Sequence, residues 1–194
     1  MKQIRRVWIF VAWLGFSLWS VTLLASEMTA EDEVTAREYF TDTVLIDDEG
    51  QEVRFFSDVL KDQVVVINFI FTHCGGACPM ITEKLKMARD ALSEEQAAAI
   101  RYVSISIDPA RDTPAAMHEF RERHRADGNW LFLTGEQQDI DAVVKRLGQY
   151  SPDVEAHSTI MLAGNVNKRH WMKILPSVPP PIIAEKLRML LDES

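Results

Sequence analysis

Residues 64–71, VVVINFIF, constrain this chain more than any other stretch. A run this short, almost wholly apolar and largely β-branched, reads as a strand buried on both faces, as in a parallel sheet. It breaks into Thr72-His73-Cys74-Gly75-Gly76-Ala77-Cys78-Pro79, and a helical pattern starts near Met80. The only two cysteines of the protein therefore sit where a central strand turns into a helix. Open α/β sheets place their chemistry at that junction. The positive end of the helix dipole there favours the thiolate form.

The 194 residues leave room for one domain of ordinary size once an N-terminal segment of about 25 is set aside. The net charge is −8, and Lys2, Arg5 and Arg6 are the only charged residues before position 26. The remainder is thus three units more acidic than the whole, which argues against a nucleic-acid partner. Two cysteines are too few for a disulfide framework, and their close spacing points to a reactive or metal-binding pair.

Along the chain, residues 7–25 carry no charge and follow a basic start. As a helix they would span roughly 28 Å, close to the ~30 Å of a bilayer's hydrocarbon core. The stretch is longer than a usual signal-peptide apolar region, so it reads as an uncleaved anchor in preference to a removed signal. Either way the basic end stays inside and the rest is exported. Residues 26–42 read as an acidic linker with one short helix, and 43–194 as the folded domain. Val44-Leu45-Ile46 and residues 51–56 flank Asp47-Asp48-Glu49-Gly50 as a hairpin. A helix is expected over about 77–92, and Ser93-Glu94-Glu95-Gln96 resembles a capping box. Residues 102–107 alternate as a second sheet strand. Thr113-Pro114 is an N-cap with a proline at the first helical position, opening a helix to about Ala126. A third strand spans about 130–133, and a helix from about Glu136 closes at Gly148. Strands are expected at 158–162 and 169–174 around Ala163-Gly164-Asn165, then a helix at 182–191. A β-α-β unit ending in an antiparallel β-β-α unit is the thioredoxin-like α/β layout, here with an N-terminal β-hairpin and one transmembrane helix before it.

Cys74 and Cys78, four residues apart, share one helix face and bring their sulfurs close. Such a pair suits a soft ion such as Cu(I), a dithiol redox centre, or a structural bridge. A bridge closing so short a loop removes only roughly 2 kcal/mol of chain entropy, so a staple is the weakest of the three. Glycines cost about 1 kcal/mol each inside a helix, which places Gly75-Gly76 in a loop, Cys74 before the helix and Cys78 in its first turn. A two-thiolate copper site takes a further ligand. His118 and His124 fall on a polar helix, His170 in an outer strand, and His73 beside Cys74. His157 directly precedes the strand expected beside the cysteines, so it is either that ligand or a surface-loop residue.

At these residues the sequence resembles the Sco/SenC family, thioredoxin-like copper-binding assembly factors of cytochrome c oxidase. The resemblance rests on Phe69-Ile70-Phe71-Thr72-His73-Cys74 with Cys78-Pro79, on Asp108-Pro109-Ala110-Arg111-Asp112-Thr113-Pro114, and on His157-Ser158. It covers about residues 40–191. It implies that Cys74, Cys78 and His157 bind copper as Cu(I) or Cu(II); in an oxidising exported compartment Cys74 and Cys78 are also expected to form a redox-active disulfide. Asp108 and Asp112 either orient the site or cap the loop and helix. The sequence departs from the family in Gly75-Gly76-Ala77, where bulkier and often acidic residues are usual, and in a shorter segment before His157. The expected function is an exported copper chaperone, monomeric, held in the inner membrane by residues 7–25 with its domain in the periplasm. It would serve a cuproenzyme client such as a cytochrome oxidase subunit. A periplasmic thiol–disulfide reductase is the alternative. C-x-x-x-C instead of C-x-x-C, and His157-Ser158 where a reductase has a cis-proline, weigh against it. A peroxidase of the same fold ranks last, because no activating residues are evident around Cys74.

Overall fold

A computed structural model describes residues 28–192, so the expected membrane anchor at 7–25 lies outside the described part. Among the described residues no helix is long and apolar enough to cross a membrane. All seven residues of strand β3, Val64–Ile70, are buried. Their alternation splits the core in two, with Val64, Val66 and Ile70 facing one way and Val65, Ile67 and Phe69 the other. Strands β4 (Ile100–Ser106) and β5 (Trp130–Thr134) extend the sheet in parallel on one side of β3. The hairpin β1 (Val44–Asp47) and β2 (Glu52–Arg54) adds to β5 antiparallel. On the other side of β3 run β6 (Met161–Asn165) and β7 (His170–Ile174), both antiparallel to their neighbours. The seven-stranded order is β2-β1-β5-β4-β3-β6-β7, the mixed sheet expected of a thioredoxin-like layout.

Helices cover both faces. α2 (Ala77–Asp90), α4 (Pro114–His124) and α6 (Pro180–Asp192) bury Leu85, Phe120 and Leu187 in one cluster. α1 (Ala30–Phe40), a π-helical turn at Phe55–Leu60 and α5 (Gln137–Arg146) bury Phe40, Phe56 and Val143 in the other. The local signals act as their chemistry predicts. Ser93 and Gln96 form a reciprocal capping box at the short helix α3 (Glu94–Ala98). Thr113 accepts from the Ala116 amide at the start of α4. Gly148, at φ +67°, closes α5.

Two expectations need correction. The strand expected at 158–162 begins at Met161 and runs through Ala163-Gly164-Asn165, with the turn falling at 166–169. Gly164 is a strand residue because the indole of Trp171 lies where its side chain would be. The one helix expected within 26–42 is the eleven-residue α1, whose Phe40 packs on Trp171 at 5.0 Å between ring centroids. The turn after Arg54 also replaces the expected strand end at 55–56: Lys61 N–H bonds the Phe56 carbonyl, five residues back.

Candidate metal centre

The end of β3 is held by its neighbour. The Ile107 N–H donates to the Ile70 carbonyl at 2.9 Å. Two residues on, Asp112 takes control of the chain. Its fully buried carboxylate accepts from the Thr72 N–H (3.0 Å) and hydroxyl (2.7 Å) on one oxygen and from the Ser106 hydroxyl (2.6 Å) on the other. The Thr134 hydroxyl donates to its carbonyl at 2.7 Å. Asp112 thus ties the first residue of the thiol loop to the ends of β4 and β5, and it is Thr113 that caps α4. Asp108 does a different job. Its carbonyl accepts from the Arg111 and Asp112 amides, and its carboxylate pairs with Arg111, so it braces its own loop.

The loop then turns tightly. The Cys74 N–H donates to the Phe71 carbonyl at 3.1 Å. Gly75 and Gly76 are exposed and outside the helix, as the propensity argument expects. α2 starts with no side-chain oxygen as cap, and the Cys74 sulfur fills that role: the Cys78 N–H points at its Sγ from 3.4 Å. Both cysteines are free thiols.

Their environments differ. Cys78 is fully buried among the side chains under α2, and Cys74 is partly exposed. Burial pushes the Cys78 thiol up to about 12, helped by its hydrogen bond to Cys74 and by the nearby negative charge of Asp112. Burial also pushes Cys74 upward, but the Cys78 thiol and the amides of Cys78, Gly76 and Ala77 outweigh it. The Cys74 thiol ends below its ordinary value. The helix terminus therefore favours one thiolate, where the sequence suggests two.

His157 sits in the irregular segment ahead of β6. Its ring meets Phe71 edge-on at 5.4 Å, which sets it beside the residue from which the thiol loop departs. Its Nδ1 lies 2.8 Å from the Val154 carbonyl. A carbonyl only accepts, so Nδ1 carries a proton, and in the neutral ring Nε2 keeps its lone pair. That Nε2 is buried and has no hydrogen-bond partner among the described residues. A backbone carbonyl behind the protonated nitrogen and a free lone pair in front is how metal-ligating histidines are held. Two soft sulfurs and one such imidazole nitrogen fit copper by donor type. The three are not gathered into one cluster: among the described residues no three His, Cys, Asp or Glu side chains stand close enough to hold an ion.

The other histidines are occupied elsewhere. His118 Nδ1 lies 3.1 Å from Asp48, and His124 packs on Phe120 at 4.4 Å. His73 is exposed, with Nδ1 3.1 Å from the Thr72 hydroxyl. His170 lies on the edge strand β7. Sequence reasoning passes over Ser106 and Val154, which orient Asp112 and His157. Ser106 is one of two serines in the alternating strand β4, and nothing in that alternation marks it out. The carbonyl of Val154 leaves no trace in side-chain chemistry.

A family model described as SCO1/SenC matches residues 30–192. Among solved structures, Bradyrhizobium japonicum ScoI with copper bound is similar at 25% identity and TM-score 0.61, over 76% of this chain and 96% of that one. Arabidopsis thaliana ScoI with copper bound shares the fold at TM-score 0.68 and 24% identity, over 78% and 96%. Among curated proteins, the SCO1 protein homolog of Bacillus subtilis is 34% identical over 46% of this chain and 46% of its own length. The mitochondrial SCO1 homolog 1 of Arabidopsis thaliana is 34% identical over 55% and 30%. The matched stretch thus spans about a third to a half of these relatives.

Proposed function

This chain belongs to the SCO1/SenC family, and from that premise we propose that it is a copper chaperone whose ligands are Cys74, Cys78 and His157. It receives copper as cargo and passes it to a cuproenzyme, the binuclear copper site of cytochrome c oxidase being the natural client. Residues 7–25 hold it in the inner membrane as a single span, with residues 26–194 in the periplasm and the chain acting as a monomer. The observation that carries the ligand set is His157, protonated toward the Val154 carbonyl and presenting a buried, unpartnered Nε2 beside Phe71. Cys74 offers the more acidic thiol at the loop surface, and Cys78 the deeper sulfur. Gathering the three requires movement, and exposed Gly75-Gly76 gives the loop that carries Cys74 freedom for it.

The test is anaerobic Cu(I) titration of the reduced protein. One copper per chain is expected. Cys74→Ala and Cys78→Ala should each abolish tight binding, and His157→Ala should weaken it by about tenfold or more. His118→Ala should change nothing. Unchanged affinity in His157→Ala would remove the histidine from the site.

One observation favours a second reading, a thiol–disulfide reductase: the split between an acidified, accessible Cys74 and a buried, protonated Cys78 is that of an attacking and a resolving thiol. Turnover of a model disulfide by metal-free protein, lost in Cys74→Ala and undiminished in His157→Ala, would select it.

A further inference from the structure

On the sheet face opposite α2, the β6–β7 edge is left open between α1 and α5, and a cavity of about 440 Å³ lies there. Its wall is aromatic. Tyr39 meets Phe40 edge-on at 4.9 Å, and Phe40 meets Trp171 at 5.0 Å. Its rim is cationic, formed by Arg146, Arg169 and Lys173. Arg169 pairs with Asp32, the only carboxylate lining the cavity among the described residues. Arg146 and Lys173 are exposed and have no charged or hydrogen-bonding partner among the described residues. Arg169 also holds φ +52°, a left-handed position that an arginine occupies at a cost, in the β6–β7 turn. Two cations without a charged partner thus line one cavity of a chain whose net charge is −8.

Met28 lines the same cavity. It is the third residue beyond the apolar stretch 7–25, and three residues reach at most about 10 Å. If residues 7–25 span the membrane, the cavity therefore stands at the bilayer surface. From this placement, which rests on the anchored reading above, we propose that the groove seats an anionic phospholipid of the anchoring bilayer. Its phosphate lies between Arg146, Arg169 and Lys173, and the upper part of an acyl chain lies against Phe40 and Trp171. Cations are drawn to an anionic leaflet within a Debye length, and tyrosine and tryptophan favour the headgroup level. Cys74 and Cys78 pack on the other face of the sheet. A domain docked through this groove is thereby oriented with its thiols away from the lipid.

The experiment is amide hydrogen exchange of the full chain in nanodiscs of phosphatidylcholine, with and without phosphatidylglycerol. Slower exchange at residues 36–40, 146–149 and 169–173 is expected only with phosphatidylglycerol. The double variant Arg146→Glu, Lys173→Glu, at two exposed positions, should lose that protection while keeping the parent's exchange in β3 and β4. Equal exchange in both lipids, or protection that survives the double variant, overturns the proposal and leaves the anchor intact. A chain that does not enter the discs overturns the anchored reading itself, and the lipid groove with it.

Discussion

Cys74 and Cys78 are four residues apart and chemically unlike. Their spacing places both sulfurs at the helix start, and that much is readable from the sequence. Their difference is not, because it comes from the burial of Cys78 in the core, its hydrogen bond to Cys74 and the charge of Asp112. In reduced, copper-free protein near neutral pH, Cys74 should be alkylated well before Cys78, with Cys78 labelled quickly only after unfolding. Mass spectrometry of a timed iodoacetamide reaction reads this, and equal rates would refute the split. The two aspartates of the 108–112 loop separate in the same way. The sequence offers Asp108 and Asp112 as equivalents, orienting or capping. In the fold, Asp112→Ala leaves two hydroxyls and one amide without their acceptor, at about 1–3 kcal/mol for each such buried group. We expect a loss of about 3 kcal/mol or more in urea unfolding. Asp108→Ala removes only a pair with the exposed Arg111 and should stay within about 1 kcal/mol.

Most elements are legible because their signals are local. The capping box at Ser93, the Thr113-Pro114 start and the Gly148 stop each act within one turn of chain. Where the reading fails, the deciding contact is tertiary. Ala163-Gly164-Asn165 has turn chemistry, yet the turn lies at 166–169, because Gly164 pairs across the ladder with Trp171 and leaves room for its ring. A β-carbon at 164 would stand 2.4–2.8 Å from three atoms of that indole. Gly164→Ala should therefore destabilise by about 1–3 kcal/mol, the usual cost of overfilling a packed site. In a Trp171→Leu background the same change should cost far less, and thermal unfolding of the four proteins gives the coupling. Additive losses would mean that the indole yields freely. The serines of β4 make a related point. Alternation in YVSISI marks a strand, and in a half-exposed strand its serines would face water. Here both faces are covered. Ser104 instead donates to Asn68 and accepts from Trp130, and Ser106 serves Asp112. The parallel neighbours that bury β4 are distant in sequence, so nothing within the strand reveals this.

At the scale of the whole molecule, the helix-covered face of α2, α4 and α6 buries two groups that titrate above neutrality, Cys78 and Tyr102. Burial raises both: Cys78 to about 12, and Tyr102 well above the ordinary tyrosine value of 10.0. In each, the folded state holds its proton more tightly than the unfolded chain does. The stability this contributes is complete below the unfolded values, near pH 9 for the thiol and near pH 10 for the phenol. It is lost as pH rises through the folded ones. The share of unfolding free energy that these two groups supply should thus be level from neutral pH to about 9 and fall steadily beyond it, while Cys74, held below its ordinary value, adds stability as pH rises towards 9. Tyr102 allows a clean test, because its hydroxyl is buried without a partner among the described residues and its ring packs at a tilt on Trp130, 5.2 Å between centroids. Tyr102→Phe keeps the ring and removes an unsatisfied group, so at pH 8 it should be neutral or stabilising by about 1 kcal/mol. Above pH 10 it should pull further ahead of the parent, since it has no phenol to ionise on unfolding. The measurement is urea unfolding with reductant present, in steps from pH 8 to pH 11. Parallel decline of the two proteins across that range would show that the phenol ionises in the folded state as easily as in water, and that the face beneath α2 is wetter than its packing implies.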